Sequence, residues 1–180
     1  MDSFNRFSKQ VLYAILILLG IQTLGAQSTP CQDSNFRKFD FWIGEWTVYR
    51  KDGQKAGDSK ITLILDSCVI LEEWTSANPQ KGLVYKGKSF NVFNDVTKQW
   101  QQTWVDNTGN TTEFLRGEPI EQGIRFYADQ VAGPQGKWFK RRLSFTQLPS
   151  GNVRQIGERS DDQGVQWQTE YDLEYRRKPQ

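Results

Sequence analysis

Near its C-terminal end the chain alternates with a period of two. Val165, Trp167, Thr169, Tyr171, Leu173 and Tyr175 interleave with Gln166, Gln168, Glu170, Asp172, Glu174 and Arg176. The second set is entirely polar. Successive side chains of a strand point to opposite faces, so this stretch reads as a strand with one buried and one hydrated side. Similar rhythms run over 45–51, 59–66, 69–76, 83–94, 99–106, 111–117, 123–130, 137–147 and 152–159, which brings the expected number to ten. The breaks carry turn chemistry, as in Lys51-Asp52-Gly53, Asn107-Thr108-Gly109 and Pro149-Ser150-Gly151. Parallel crossovers need a dozen or more residues, and no connection here is that long, so the strands must run antiparallel in sequence order. Ten such strands in one open sheet would leave long edges unpaired, and an up-and-down barrel removes them. The expected fold class is therefore all-β: a single antiparallel barrel of about ten strands over residues 44–178.

One stretch before the first strand reads as helical, Asp33 to Ile43, with Asp33 or Ser34 as cap and Phe36, Phe39 and Ile43 on one face. It belongs to an N-terminal segment spanning 27–43, and a helix there is expected to lie across one barrel end as a plug. Residues 1–26 have the layout of a secretory signal: Arg6 and Lys9, an apolar run from Val11 to Leu24, then Gly25-Ala26. That run is short for a bilayer span, so a secreted or periplasmic protein with no stable membrane anchor is expected after cleavage. In an oxidising compartment Cys31 and Cys68 read most simply as one disulfide, the alternative being two separate thiols.

The 180-residue chain contains no histidine, and this narrows its chemistry further. Ser-His and Cys-His dyads, His-ligated zinc or haem and an imidazole switch all need a ring that is missing. Two cysteines without His do not complete a metal site, and there is no glycine-rich phosphate loop, nucleophile elbow or Asp-rich calcium loop, so no metal or cofactor is expected. A formal charge of +2, from 23 basic and 21 acidic residues, is too small and too evenly mixed to draw nucleic acid by field alone.

The block Phe39-Asp40-Phe41-Trp42-Ile43-Gly44-Glu45-Trp46, with Cys68-Val69-Ile70-Leu71-Glu72-Glu73-Trp74 and Trp100-Gln101-Gln102-Thr103-Trp104-Val105-Asp106, resembles the DUF1579 type of exported, lipocalin-like bacterial proteins. Gly44-Glu45-Trp46 itself is similar to the Gly-x-Trp signature of the calycin superfamily. The resemblance implies that Gly44 and Trp46 are structural and that Trp46 closes the barrel base against an arginine of the last strand. Arg176 and Arg177 are the candidates, and Arg177 is preferred because it keeps the odd-numbered, inward parity of Trp167 to Tyr175. The haem chemistry of one calycin branch depends on a histidine, so it does not carry over.

Inward positions decide what a barrel of this size holds. Trp100, Gln102 and Trp104 share one strand face, and with Trp74 and Phe90 they would form aromatic walls with one amide, or else simply fill the core. Glu72 and Glu73 must point to opposite faces, so one faces inward and needs a partner. Arg141 and Arg159 are candidates for that partner, and Gln155 is a further lining residue. The reading favoured is a non-catalytic barrel for a small hydrophobic or amphipathic molecule. The alternative is a histidine-free isomerase or cyclase using a buried Glu with Tyr or Arg. The sequence leaves the oligomeric state open.

Overall fold

Ten alternating segments joined by tight turns give ten antiparallel strands, and the last pairs back onto the first. The computed structural model describes residues 31–79 and 81–179. Its strands are β1 (Gly44–Arg50), β2 (Lys55–Ile64), β3 (Val69–Ser76), β4 (Lys86–Asn94), β5 (Gln99–Asp106), β6 (Thr111–Ile120), β7 (Gly123–Ala132), β8 (Trp138–Gln147), β9 (Val153–Ser160) and β10 (Gln168–Arg177). They form a closed up-and-down barrel in which each strand pairs with its chain neighbours and β1 pairs with β10. Among the described residues no helix is long and apolar enough to cross a membrane. The expected signal at 1–26 lies outside the described residues.

The helix expected over 33–43 is two shorter pieces. Helix α1 (Ser34–Arg37) is capped by Asp33, whose carboxylate accepts from the Asn35 amide at 2.8 Å. A 3₁₀ turn (Asp40–Trp42) follows. One continuous helix would keep Phe36, Phe39 and Ile43 on one stripe, whereas the break at Phe39 turns both Phe39 and Trp42 into the barrel, where each is fully buried. Phe39 stacks on Trp42 at 5.0 Å and meets Phe145 at 5.0 Å and Trp100 at 5.6 Å, edge-on in both cases. Trp42 in turn packs on Phe145 and Tyr175. This half of the bore is therefore filled by aromatic rings, a packing that contributes specific geometry beyond area burial.

Two ties hold the segment in place. Cys31 and Cys68 form a disulfide across 37 positions of sequence. The Arg37 guanidinium donates to the Ser67 carbonyl in the same β2–β3 turn. Leu65, Asp66 and Ser67 all take positive φ in that turn, a conformation side chains adopt reluctantly, so the turn is held from outside as well as by its own strands.

Barrel closure rests on one cluster. Trp46 on β1 lies opposite Arg177 on β10, with the guanidinium 4.5 Å from the indole centroid. Arg177 also donates to the Ile43 carbonyl at 3.2 Å, and the Trp46 ring nitrogen donates to the Trp42 carbonyl at 2.8 Å. Gly44 sits between them at φ 144°, and a Cβ there would lie 2.4 Å from Arg177 Nη1.

The tenth strand corrects one expectation. It starts at Gln168, and Glu170 is an extra residue in its ladder against β9, so the register shifts between Thr169 and Tyr171. An inserted residue flips every side chain before it to the other face. Tyr171, Leu173 and Tyr175 keep the inward parity, whereas Trp167 lies outside under the Arg142 guanidinium and Val165 is 79% exposed.

Two outcomes are expected. Gly44→Ala should destabilise the fold by about 1–3 kcal/mol through backbone strain and displacement of Arg177, read as a lower urea midpoint. An unchanged midpoint would show that closure does not depend on this contact. Replacing both cysteines by serine should remove up to about 4 kcal/mol, the loop-entropy term for a ring of this size.

Candidate functional site

The half of the bore opposite the aromatic cluster is open. A cavity of about 710 Å³ runs into it, within the range that takes a drug-sized molecule. Its mouth lies among the β1–β2, β3–β4, β5–β6, β7–β8 and β9–β10 connections. Three of the four ladder irregularities are at that end, at Val48/Tyr49, Ala128/Val131 and Thr169/Tyr171. Bulges increase local twist and bend a strand, which suits a barrel rim.

The walls are aromatic faces laid against bare backbone. A Cβ on Gly57 would lie 2.7 Å from Trp74 Cζ2, one on Gly87 2.1 Å from Trp104 Cζ2, and one on Gly157 2.2 Å from Tyr171 Cζ. Each ring thus lies across a glycine on the neighbouring strand, where any larger residue would push it into the bore. Trp104 is fixed further: its ring nitrogen donates to the Tyr85 hydroxyl at 3.1 Å, which donates to Asp106 Oδ2 at 3.0 Å. Burial, with Asp106 beside it, pushes the Tyr85 hydroxyl up to about 12. Phe114, Phe139 and Leu143 complete the apolar lining.

The floor is a polar network built around one carboxyl group. Glu72 is the one buried acidic or basic side chain among the described residues, at 3% exposure. Its Oε1 accepts from Ser59 Oγ at 2.8 Å and lies 3.2 Å from Tyr175 Oη, while Oε2 accepts from Ser89 Oγ at 3.0 Å. Asn91 donates to Ser89 Oγ and to the Ile70 carbonyl, and Gln102 Nε2 donates to Asn91 Oδ1 at 2.7 Å. On the other side Tyr175 donates to Gln155 Oε1 at 2.8 Å. A hydroxyl has one proton, so a Tyr175 proton given to Gln155 leaves its oxygen as an acceptor toward Glu72, which suits a protonated carboxyl. Burial pushes Glu72 up from 4.5 to about 7, against the opposite pull of the hydrogen bonds it accepts from Ser59 and Ser89.

The expected site residues divide as follows. Glu72, Trp74, Gln102, Trp104, Arg141 and Gln155 all border the cavity. Glu73 points outward and pairs with Lys88 at 2.8 Å. Phe90 does not join the walls: it opposes Leu71 and Thr103 on the outer face and is 40% exposed. The inward residues of β4 are Ser89, Asn91 and Phe93, and the polar pair is recruited by Glu72, so an apolar-inside reading inverts this strand. Trp100 faces inward but is buried at the filled end against Phe39 and Phe93. Arg141 lines the mouth without meeting Glu72, because Glu170 holds it through two bonds of 2.8 and 2.9 Å. Arg159 is likewise held by Asp161. Sequence reasoning did not pick out Tyr85, Tyr171, Tyr175, Ser59, Ser89 or Asn91 as site residues. For the last three, the available signal was a polar side chain at an inward parity position.

Among the described residues no group of three His, Cys, Asp or Glu side chains is placed to hold a metal ion. No protein-family model matches the chain, and a search of the curated proteins finds no match.

The Glu72 proton is held more tightly in the folded chain than in the unfolded one. Stability from this group is therefore full below the ordinary carboxylate value and falls as pH rises from about 4.5 to about 7. The loss amounts to at most about 3 kcal/mol. Glu72→Gln should flatten this part of the stability–pH profile, measured as urea midpoints between pH 4 and pH 8, while Glu73→Gln should leave it in place. A profile that kept its slope in Glu72→Gln would assign the titration elsewhere.

Proposed function

We propose that this chain is an exported, non-catalytic barrel that binds a small apolar or amphipathic molecule in the cavity beneath its mouth. The observation that carries the reading is the cavity of about 710 Å³, with rings on its walls and hydrogen-bonding groups on its floor. A barrel whose only task was stability would fill that space, since an empty bore forgoes the dispersion contacts of packed side chains. In this reading the α1 and 3₁₀ segment is the plug of the opposite end, and the barrel is of the calycin kind, as the resemblance to the DUF1579 type implies. The Trp46–Arg177 contact and the Gly44 turn support that assignment. The disulfide supports an oxidising compartment, secreted or periplasmic.

A second reading, a histidine-free acid–base enzyme, is favoured by a cavity-floor carboxyl poised near 7. Against it stands the geometry. Both Glu72 oxygens are engaged by wall side chains, and no lining cation stands beside it, since Arg141 and Arg159 are held at the mouth by their own carboxylates. Binding is therefore the better account.

The test is a fluorescence titration with the neutral dye N-phenyl-1-naphthylamine. Its emission should rise on binding, and Trp104→Ala should weaken that binding by about tenfold through loss of a wall ring. Phe90→Ala, on the outer face, should change it little. A dye that fails to bind the folded wild-type protein would remove the binding reading. A substrate whose turnover survives in the wild type and collapses in Glu72→Gln would establish the enzyme instead.

A further inference from the structure

The floor network leaves two amide atoms unused. Asn91 spends both of its donor directions on the Ile70 carbonyl and Ser89 Oγ, so its oxygen faces Gln102 and fixes the orientation of that amide. Gln102 Nε2 is thereby engaged, and Gln102 Oε1 has no partner among the described residues. Gln155 is the mirror case: its Oε1 takes the Tyr175 proton, which leaves Nε2 without a partner among the described residues. Both side chains are more than nine-tenths buried, at 3% and 8% exposure, and both border the cavity. Neither atom is among the sealed orphans of the described residues, so both are open to the internal space, where an acceptor and a donor form a recognition feature that the barrel itself does not need.

Above these two atoms the walls present the faces of Trp74, Trp104 and Tyr171, each seated over a glycine. Flat rings stack on such faces. The floor offers no cation: of the lining arginines, Arg141 and Arg159 are paired with Glu170 and Asp161, and Arg50 is exposed at the end of β1, at the rim. An anionic group brought down beside Glu72 would lose its hydration without a counter-ion.

Resting on the binding reading above, we propose that the ligand is a flat ring compound without an anionic group, whose inner end carries a hydrogen-bond acceptor for Gln155 Nε2 and a donor for Gln102 Oε1. The apolar body supplies affinity, and the two amides set its orientation and its identity.

Three probes with one tricyclic frame separate these contributions: fluorene, with neither group; 9-fluorenone, with an acceptor; and carbazole, with a donor. Affinities are read by displacement of N-phenyl-1-naphthylamine from the wild-type chain. Fluorenone and carbazole should each bind about three- to tenfold more tightly than fluorene, the worth of one ordinary hydrogen bond. Gln155→Met should erase the fluorenone advantage alone, and Gln102→Met the carbazole advantage alone, with fluorene affinity kept in both as the sign that the cavity is intact. Should either variant fail to fold, the wild-type order of the three probes decides by itself. Equal affinities for the three, or advantages that survive both substitutions, overturn the proposal. Dye binding with no displacement by any probe overturns it too, and leaves the binding barrel standing. Absence of dye binding overturns both.

Discussion

A closed ten-stranded barrel has a wider bore than its own inward side chains fill, because diameter grows with strand number and eight strands are already at the limit. The chain meets this constraint differently at its two ends. At one end the segment before β1 turns Phe39 and Trp42 inward against Phe126, Phe145 and Trp100, and material from outside the strands makes up the missing volume. At the other end nothing is added. The cavity is what remains when only half of an over-wide tube is filled.

That division explains where the ties of the N-terminal segment lie. The disulfide, the Arg37 bond to the β2–β3 turn and the Arg177 contacts all sit at the filled end. Packing there overrides polar matching: the ring nitrogens of Trp42 and Trp100 are buried without acceptors among the described residues. Each such orphan costs about 1–3 kcal/mol, which the dense ring cluster offsets. At the mouth the logic reverses, with bulged strands, exposed turns and charged residues paired with one another rather than packed.

Much of this was legible in the sequence, because period-two patterning and short polar turns specify an antiparallel meander almost uniquely. The strand count and most boundaries follow from that. Through its resemblance to the calycin signature, the Gly44-Glu45-Trp46 run points to the closure, and the chain's two cysteines point to the disulfide. What failed did so for identifiable physical reasons. Glu170 inserts one residue into β10, and a single insertion reverses the faces of everything before it, so Trp167 reads as core and lies outside. Phe90 reads as lining because hydrophobicity is taken to point inward, yet on β4 the inward places belong to Ser89 and Asn91. Parity alone places Arg141 inward, as it is, but its pairing with Glu170 depends on which strand stands beside it and on the reach of both side chains.

The rule that predicts the fold breaks at the cavity floor. Ser59, Glu72, Ser89, Asn91, Gln102 and Gln155 occupy inward positions on β2, β3, β4, β5 and β9 where apolar residues would bury more cheaply. Replacing a buried charged or polar cluster by well-packed hydrophobic residues is often neutral or stabilising, so retention of five such residues around one carboxyl is not accounted for by stability. Local departures of this kind tend to fall at functional sites. Here they converge on the level where filled bore gives way to open bore, below the rings of Trp74, Trp104 and Tyr171, where the inner end of a guest could touch the barrel's own hydrogen-bonding groups. The aromatic walls are rigid because each ring rests on backbone, and the floor is rigid because Glu72, Asn91 and Tyr175 spend their bonds on orienting their neighbours. Little freedom is then left to lose when a guest arrives, and a pre-ordered site can be selective with few contacts.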